Sequence, residues 1–236
     1  MLRFHIHNLL LLTGVLSTLN GELINGPMIA HLEMREAKIW VQAKSPSIIR
    51  VAYSSEENAT PLTWSEPIET DAERSHTAVV TLDKIEPDQS YSYRVEINGV
   101  IVSTLATFKS PSNYYDRTPA PDFKIAVGGA HYMLEDGYEP PYRILGGGYD
   151  IFTSITQAEP ALMIWAGNTA HLRSSDWGSK SGYEKRFTKA RSSPQLQPLL
   201  RSVPHYAIWS DRDYGAPNGG HLSLIHISEP TRPREI

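Results

Sequence analysis

Three short apolar runs in this chain each end in glycine or polar residues, as buried strands do when they deliver side chains to a site. The endings are Gly128-Gly129-Ala130-His131, Gly167-Asn168-Thr169-Ala170-His171 and Ser210-Asp211-Arg212-Asp213. Carboxylates, imidazoles and amide oxygens can bind metal ions, whereas a guanidinium binds phosphate and other oxyanions. Two chemistries are therefore open: metal-assisted hydrolysis, and binding of an anion without a metal.

The runs that carry these endings alternate with helix-like segments. The apolar runs are residues 123–128, 161–167 and 205–209, and helical patterns occupy about 150–157 and 183–203. Strands that alternate with helices predict βαβ units and a parallel sheet covered on both faces. Ligands in such sheets lie beyond the carboxyl ends of the strands, so we expect the three endings to meet at one edge.

Residues 22–110 have a different pattern, with evenly spaced short strands separated by turns, which predicts a β-sandwich. Leu82, a proline turn and Tyr91 resemble the tyrosine corner of a fibronectin type III domain. Asn98-Gly99 predicts a two-residue hairpin. Residues 111–121 contain three prolines and no periodicity, which predicts a linker to a second domain at 122–221.

The overall composition is that of an ordinary globular protein. The chain has 236 residues, a net charge of −4 and no cysteine. The weak negative charge gives no electrostatic reason to expect nucleic acid binding. Without cysteine there are no disulfides and no thiolate metal sites. No segment after the N-terminal region is long and apolar enough for stable membrane insertion.

Both ends of the chain differ from the rest. Residues 1–21 have one arginine, an apolar run and then small polar residues, which is the layout of a signal peptide and predicts a secreted, periplasmic or cell-surface protein. The alternative is a buried N-terminal helix. Residues 222–236 begin with LSLIHISEPTR, which resembles a translated sequencing adapter. We expect this tail to be foreign and the natural chain to continue; the alternative is a short genuine strand.

In its motifs the chain resembles the PhoD-type alkaline phosphatases, the alkaline phosphatase D family. The resemblance covers about residues 26–220 and rests on FKIAVGG, PALMIWAGNTAHLR, SPQLQPLLRSVPHYAIW and SDRDYG. It implies a fibronectin type III-like sandwich followed by an incomplete α/β metallophosphoesterase-like domain. It also implies hydrolysis of phosphate mono- or diesters at an iron centre with calcium ions beside it.

This chain departs from the family pattern where the resemblance implies metal ligands. Ala130 stands where the family has Cys, Asn168 where it has Asp, and His171 where it has Tyr. The family's W-D-D-H-D becomes W-S-D-R-D, with Ser210 and Arg212. Alanine has no donor atom, an amide has no charge, and a guanidinium stays cationic and repels a metal ion.

The metal positions that the resemblance implies are Asn168, His171, Asp211 and Asp213. We expect this centre to be absent or impaired, and no catalytic residue is assigned. The protein is then an inactive PhoD-like phosphatase or, alternatively, a non-catalytic paralogue that binds an anion or a partner. A reorganised site with one metal ion stays open as well, because other histidine and carboxylate side chains lie near the strand ends.

Further residues near the endings have open interpretations. Arg212 either pairs with a neighbouring aspartate or binds phosphate or sulfate by a bidentate contact. Arg173 is interpreted as paired or solvated rather than catalytic. Asp176-Trp177 could line a substrate entrance, which the sequence alone does not decide. The oligomeric state cannot be predicted from these patterns.

Overall fold

The computed structural model describes residues 21–55, 62–135, 137 and 148–215. The predicted signal peptide, apart from Gly21, and the predicted foreign tail lie outside these residues. In the described ranges no helix is long and apolar enough to cross a membrane.

The first part of the structure consists of antiparallel strands in two sheets. The first sheet has the order β1-β2-β6, and in the second β3 and β7 pair centrally, with β4 and β5 on β3 and β8 and β9 on β7. The strands are β1 Leu23–Leu32, β2 Ala37–Ala43, β3 Ile48–Ser55, β4 Thr63–Trp64, β5 Ile68–Glu69, β6 Thr77–Leu82, β7 Ser90–Ile97, β8 Val100–Ile101 and β9 Ala106–Lys109.

The two sheets share one apolar core because their strands alternate between inward and outward side chains. In β6, for example, Ala78, Val80 and Leu82 are buried in the same cluster as Val51 and Val95 of the second sheet. Each fully buried aliphatic side chain of this kind contributes about 1.5–3 kcal/mol. The predicted β-sandwich is therefore present, although its assignment to the fibronectin type III class stays a prediction.

Two local predictions in the sandwich are confirmed. The Tyr91 hydroxyl accepts a hydrogen bond from the Glu86 amide at 2.8 Å, which is the contact that defines a tyrosine corner. Asn98 and Gly99 have φ angles of 51° and 83°, and Ile97 pairs with Val100 across the turn. Positive φ at both central residues is what a type I′ hairpin requires.

The second part of the structure is a three-stranded parallel sheet with the order β10-β11-β12. The predicted apolar runs form its strands, and the predicted long helical region is two helices separated around Pro194. The elements are β10 Ile125–Gly128, α1 Asp150–Gln157, β11 Leu162–Ala166, α2 Lys180–Ala190, α3 Gln197–Ser202, β12 His205–Ile208 and α4 Asp211–Tyr214.

The two parts are in direct contact through α2 and α3. The buried Tyr93 of the sandwich donates its hydroxyl to the Arg201 carbonyl of α3 at 2.9 Å. The Asn25 side chain donates to the Thr188 carbonyl of α2 at 3.0 Å. Residues 110–124 connect the parts without helix or strand, in agreement with the composition of the predicted linker, whose boundaries stay a prediction.

The helices cover one face of the parallel sheet. Successive strands add in one direction, and right-handed crossovers then place every connecting helix on the same face. Met163 and Trp165 of β11 accordingly pack against Phe152 of α1 and Leu199 and Leu200 of α3. The expectation that helices cover both faces is therefore wrong for the described part of the chain.

The opposite side of this sheet, the outward face, is apolar and open. Ile125 and Val127 of β10 are 46% and 66% exposed, and Ile208 of β12 is 62% exposed. Leu162 and Ile164 of β11 lie between them in register and are partly buried. Contiguous exposed apolar surface of this kind favours self-association.

We predict that Val127→Lys reduces self-association of the protein, because a charge at an exposed edge strand opposes intermolecular packing. The free energy of unfolding should change by no more than about 0.5 kcal/mol, since the position is solvent-exposed. Sedimentation velocity at several concentrations measures the effect. Val100→Lys, at an exposed position of the sandwich, is the matched control. A wild-type chain that is monomeric at every concentration would contradict the prediction.

Candidate functional site

The three strand endings meet at one edge of the parallel sheet, as the sequence predicts. The Ala130 amide, after β10, donates to the Gly167 carbonyl, after β11, at 3.2 Å. The Ser210 hydroxyl, after β12, donates to Asn168 Oδ1 at 2.6 Å. A cleft of about 870 Å³, the strand-end cleft, opens beside these loops, between the sheet edge and α1.

The backbone of these loops is held in an uncommon conformation. Ala130, Asn168 and His171 have φ angles of 55°, 54° and 47°. Left-handed backbone costs a non-glycine residue about 1–2 kcal/mol, so it persists only where surrounding contacts hold it. The strand endings are therefore ordered turns whose backbone shape depends on specific hydrogen bonds.

Asp213 supplies the main carboxylate of these turns and is 1% exposed. One carboxylate oxygen accepts hydrogen bonds from the Thr169 hydroxyl and the Ala170 amide, both at 3.0 Å. The other accepts from the Ser210 amide at 3.2 Å, as part of a capping box at the start of α4. The carboxylate thus joins the loop after β11 to the loop after β12.

Three of the four predicted metal positions lie close together at this edge. Asn168 accepts a hydrogen bond from the Ser210 hydroxyl, and Asp213 accepts from Thr169, Ala170 and Ser210. Asp211 Oδ1 accepts from the Arg212 amide at 2.8 Å. Within the described ranges no group of three or more histidine, aspartate and glutamate side chains is arranged to hold a metal ion.

His171, the fourth predicted position, lines the cleft beside Tyr132. The two rings meet edge to face, with centroids 4.9 Å apart. Burial lowers the pKa of His171, and Arg212 and Arg186 lower it further, against the smaller opposing effects of Asp213 and Asp211. Its Nδ1 atom is buried and has no hydrogen-bond partner in the described part of the protein.

Arg212, the predicted anion-binding residue, also lines the cleft. Its backbone carbonyl accepts a hydrogen bond from the Leu172 amide at 2.7 Å, which fixes the loops to each other. Among the described residues its guanidinium forms no ion pair, and Asp213 bonds to Thr169, Ala170 and Ser210 instead. Both interpretations of Arg212, the structural ion pair and the anion-binding residue, therefore stay predictions.

Arg173 is paired, as expected from the sequence. Its guanidinium makes a bidentate contact with Asp176, at 2.7 and 2.9 Å, and contacts Glu135 at 2.7 Å. Burial raises the pKa of Asp176, but the hydrogen bonds from Arg173 outweigh burial and the net shift is downward. Two carboxylates therefore offset the charge of Arg173 where it reaches the cleft.

Arg186 is a residue of the site that the sequence does not reveal. This arginine of α2 is 1% exposed and donates to the carbonyls of Ala170 at 3.0 Å and Met133 at 2.8 Å. Its guanidinium carbon lies 4.8 Å from the centre of the Tyr132 ring. Nothing in the helical pattern marks this position, because an arginine on a predicted helix is usually solvated.

Two buried histidines lie beneath the cleft. His131 packs against Phe152 and Trp165, with ring centroids 5.1 and 5.9 Å away. His205 accepts a hydrogen bond from the Trp165 indole at 2.9 Å, and its Nε2 lies 3.1 Å from the Leu199 carbonyl, so Nε2 carries the proton. Burial lowers the pKa of each histidine to about 4.

Comparison with known proteins supports the fold. Residues 20–115 match a family model described as a domain of unknown function, DUF7800, and no curated protein matches the chain. The solved structure of PhoD resembles this one with a TM-score of 0.58 at 15% identity, over 84% of this chain and 39% of that chain. The protein thus shares a PhoD-like fold and spans 39% of the length of that structure.

Two further solved structures match with lower TM-scores. The sensor domain of the anti-sigma factor RsgI4 in Pseudobacteroides cellulosolvens matches at 19% identity and a TM-score of 0.32, over 39% of this chain and 96% of that chain. A superoxide reductase (neelaredoxin) from Ignicoccus hospitalis matches at 9% identity and a TM-score of 0.25, over 40% of this chain and 80% of that chain. Neither likeness supports a conclusion about function.

We predict that Asp213→Asn lowers the free energy of unfolding by about 2–4 kcal/mol, because an amide nitrogen replaces an oxygen that accepts from a buried donor. Denaturant unfolding measures the loss. Asp211→Asn, at a more exposed neighbour, should cost less. A chelator such as EDTA should leave the wild-type stability unchanged. A chelator-sensitive stability that disappears in Asp213→Asn would contradict this structural role and show a metal ligand.

We predict that the protein loses stability as the pH falls from about 6.5 towards 4. His131 and His205 have an ordinary pKa of 6.5 when unfolded and about 4 when folded, so protons bind preferentially to the unfolded chain. Within this window each histidine lowers the free energy of unfolding by about 1.4 kcal/mol per pH unit. The shifted pKa of His171 acts in the same direction.

Urea unfolding at pH 6.5, 5.5 and 5.0 measures this slope. His131→Phe, which keeps an aromatic ring among Phe152 and Trp165, should reduce the slope by the contribution of one histidine. A free energy of unfolding that stays level over this range in the wild type would contradict the prediction.

Proposed function

We propose that this protein is a PhoD-like phosphatase relative that binds a phosphate ester or similar anion in the strand-end cleft and does not hydrolyse it. The proposal rests mainly on the burial and hydrogen bonding of the Asp213 carboxylate. This carboxylate is buried, and three protein donors occupy both of its oxygens. It acts as a structural bridge between loops and has little capacity left for a cation.

The residues at this edge do not fit the iron and calcium ions that the family resemblance implies. Cations held about 3.5–4 Å apart need anionic bridging ligands. Asn168 is neutral, and its side-chain oxygen already accepts from Ser210. Ala130 offers no donor atom. No step of the proposed function therefore passes through a metal ion.

The charges around the cleft favour an anion. Arg212 has no carboxylate partner among the described residues, and the buried Arg186 donates to carbonyl groups of Ala170 and Met133. At His171 the effects of these two arginines on the pKa exceed those of Asp211 and Asp213. A half-buried guanidinium that forms no ion pair within the described ranges is a suitable bidentate ligand for a phosphate group.

We predict that Arg212→Ala weakens binding of inorganic phosphate by about 10- to 100-fold, the usual loss for a hydrogen bond to a charged group. Isothermal titration calorimetry measures the affinity. Arg117→Ala, which removes the same charge from an exposed position outside the cleft, should bind as the wild type does. The wild type should release no p-nitrophenol from p-nitrophenyl phosphate. Equal affinity of the two variants would end the proposal.

A metal-dependent phosphatase is the second candidate, and the orphaned Nδ1 of His171 favours it. A buried imidazole nitrogen without a partner is a possible ligand for a single transition metal ion. Stoichiometric iron after incubation with ferrous and calcium salts, with turnover of p-nitrophenyl phosphate that His171→Ala abolishes, would establish this candidate. The same result would overturn the non-catalytic proposal.

A further inference from the structure

One wall of the strand-end cleft is apolar, and a phosphate group alone would make no favourable contact with it. Ile151 and Ile155 of α1 line it, together with Phe152. Phe152 belongs to the buried core of the second part, but Ile151 is 60% exposed. An exposed isoleucine that lines a cleft is available for contact with an apolar ligand.

Aromatic rings complete this wall. Tyr149, directly before α1, and Trp177, after the loop that follows β11, also line the cleft and are only partly buried. Of the Asp176-Trp177 pair, Trp177 lies at the cleft, whereas Asp176 is buried and pairs with Arg173. Partly exposed aromatic rings around an opening provide flat surfaces for a planar apolar group.

The cationic group of the cleft, Arg212, lies at the start of α4. Most of the apolar wall comes from α1 and Tyr149 beside it, and Trp177 comes from the segment after β11. One cleft therefore presents a cationic side and an apolar, partly aromatic side, and its volume of about 870 Å³ is within the range of about 300–1,000 Å³ that holds a small organic ligand.

We propose that the ligand of this cleft is an aryl phosphate ester, with the phosphate at Arg212 and the aromatic group against Ile151 and Trp177. This inference rests on the proposed anion-binding function and specifies its ligand class. A small phosphate such as inorganic phosphate or methyl phosphate satisfies only the cationic side. An aromatic ester also removes the apolar wall from water, and burial of one or two rings strengthens binding by about 10- to 100-fold.

Calorimetric titration of the whole chain with inorganic phosphate, methyl phosphate, phenyl phosphate and 1-naphthyl phosphate tests this ligand class. We expect the affinity to rise along this series, with 1-naphthyl phosphate at least about tenfold tighter than methyl phosphate. 1-Naphthol, which has the rings without the charge, should bind more weakly than its phosphate ester.

Variants measure the contributions of the cationic side and the apolar side to binding separately. Ile151→Ala should weaken 1-naphthyl phosphate several-fold and leave inorganic phosphate unchanged, whereas Arg212→Ala should weaken both. Ile24→Ala, at an exposed isoleucine of the sandwich, is the matched control and should change neither. Trp177→Phe should keep the preference for aromatic esters, and Trp177→Ala should reduce it, with circular dichroism to verify the fold.

The possible failures are distinguishable. If inorganic phosphate binds through Arg212 but all four phosphates bind equally, the aryl ester inference is overturned and the proposed function stands. If none of the phosphates binds, the proposed function fails and the inference fails with it. If 1-naphthol and 1-naphthyl phosphate bind equally, the cleft is an apolar site and both are overturned.

Discussion

A buried cation holds the site together. Arg186 donates to backbone carbonyls in the loops after β10 and β11, and the ring of Tyr132 covers its guanidinium. Burying a charge costs several kcal/mol unless polar groups surround it. Here carbonyl dipoles and an aromatic face replace part of the water, and Nη2 has no hydrogen-bond partner within the described ranges. Because these contacts come from separate segments, Arg186 ties α2 to the loops after β10 and β11.

Asp213 complements this cation from the other side of the loops. The guanidinium binds carbonyl oxygens and the carboxylate binds amide and hydroxyl hydrogens, so the backbone after β11 is held through both of its polar groups. The two charged residues do not need to touch each other to act together. The shape of the strand-end loops thus derives from the protein's own charges, and Arg212 and His171 are left facing the cleft.

The sequence predicts the parts of this fold that depend on local pattern. The tyrosine corner, the Asn98-Gly99 hairpin and the convergence of three strand endings follow from periodicity, turn chemistry and sheet topology. It does not predict the partners of Asp213 or the burial of Arg186, because both depend on segments that meet only in the folded chain. The helices cover only one face of the sheet because successive strands add in one direction. A sequence pattern of alternating strands and helices does not specify that strand order.

The left-handed backbone at Asn168, with φ of 54°, bears on how such a site can change. Asparagine adopts this conformation more readily than most other side chains, and it differs from aspartate by replacing one oxygen with nitrogen. A neutral amide can therefore occupy this turn with little steric penalty, and its oxygen still finds a donor in Ser210. A turn of this kind keeps its shape with a charged or a neutral side chain, so its backbone conformation alone does not show which chemistry the loop performs.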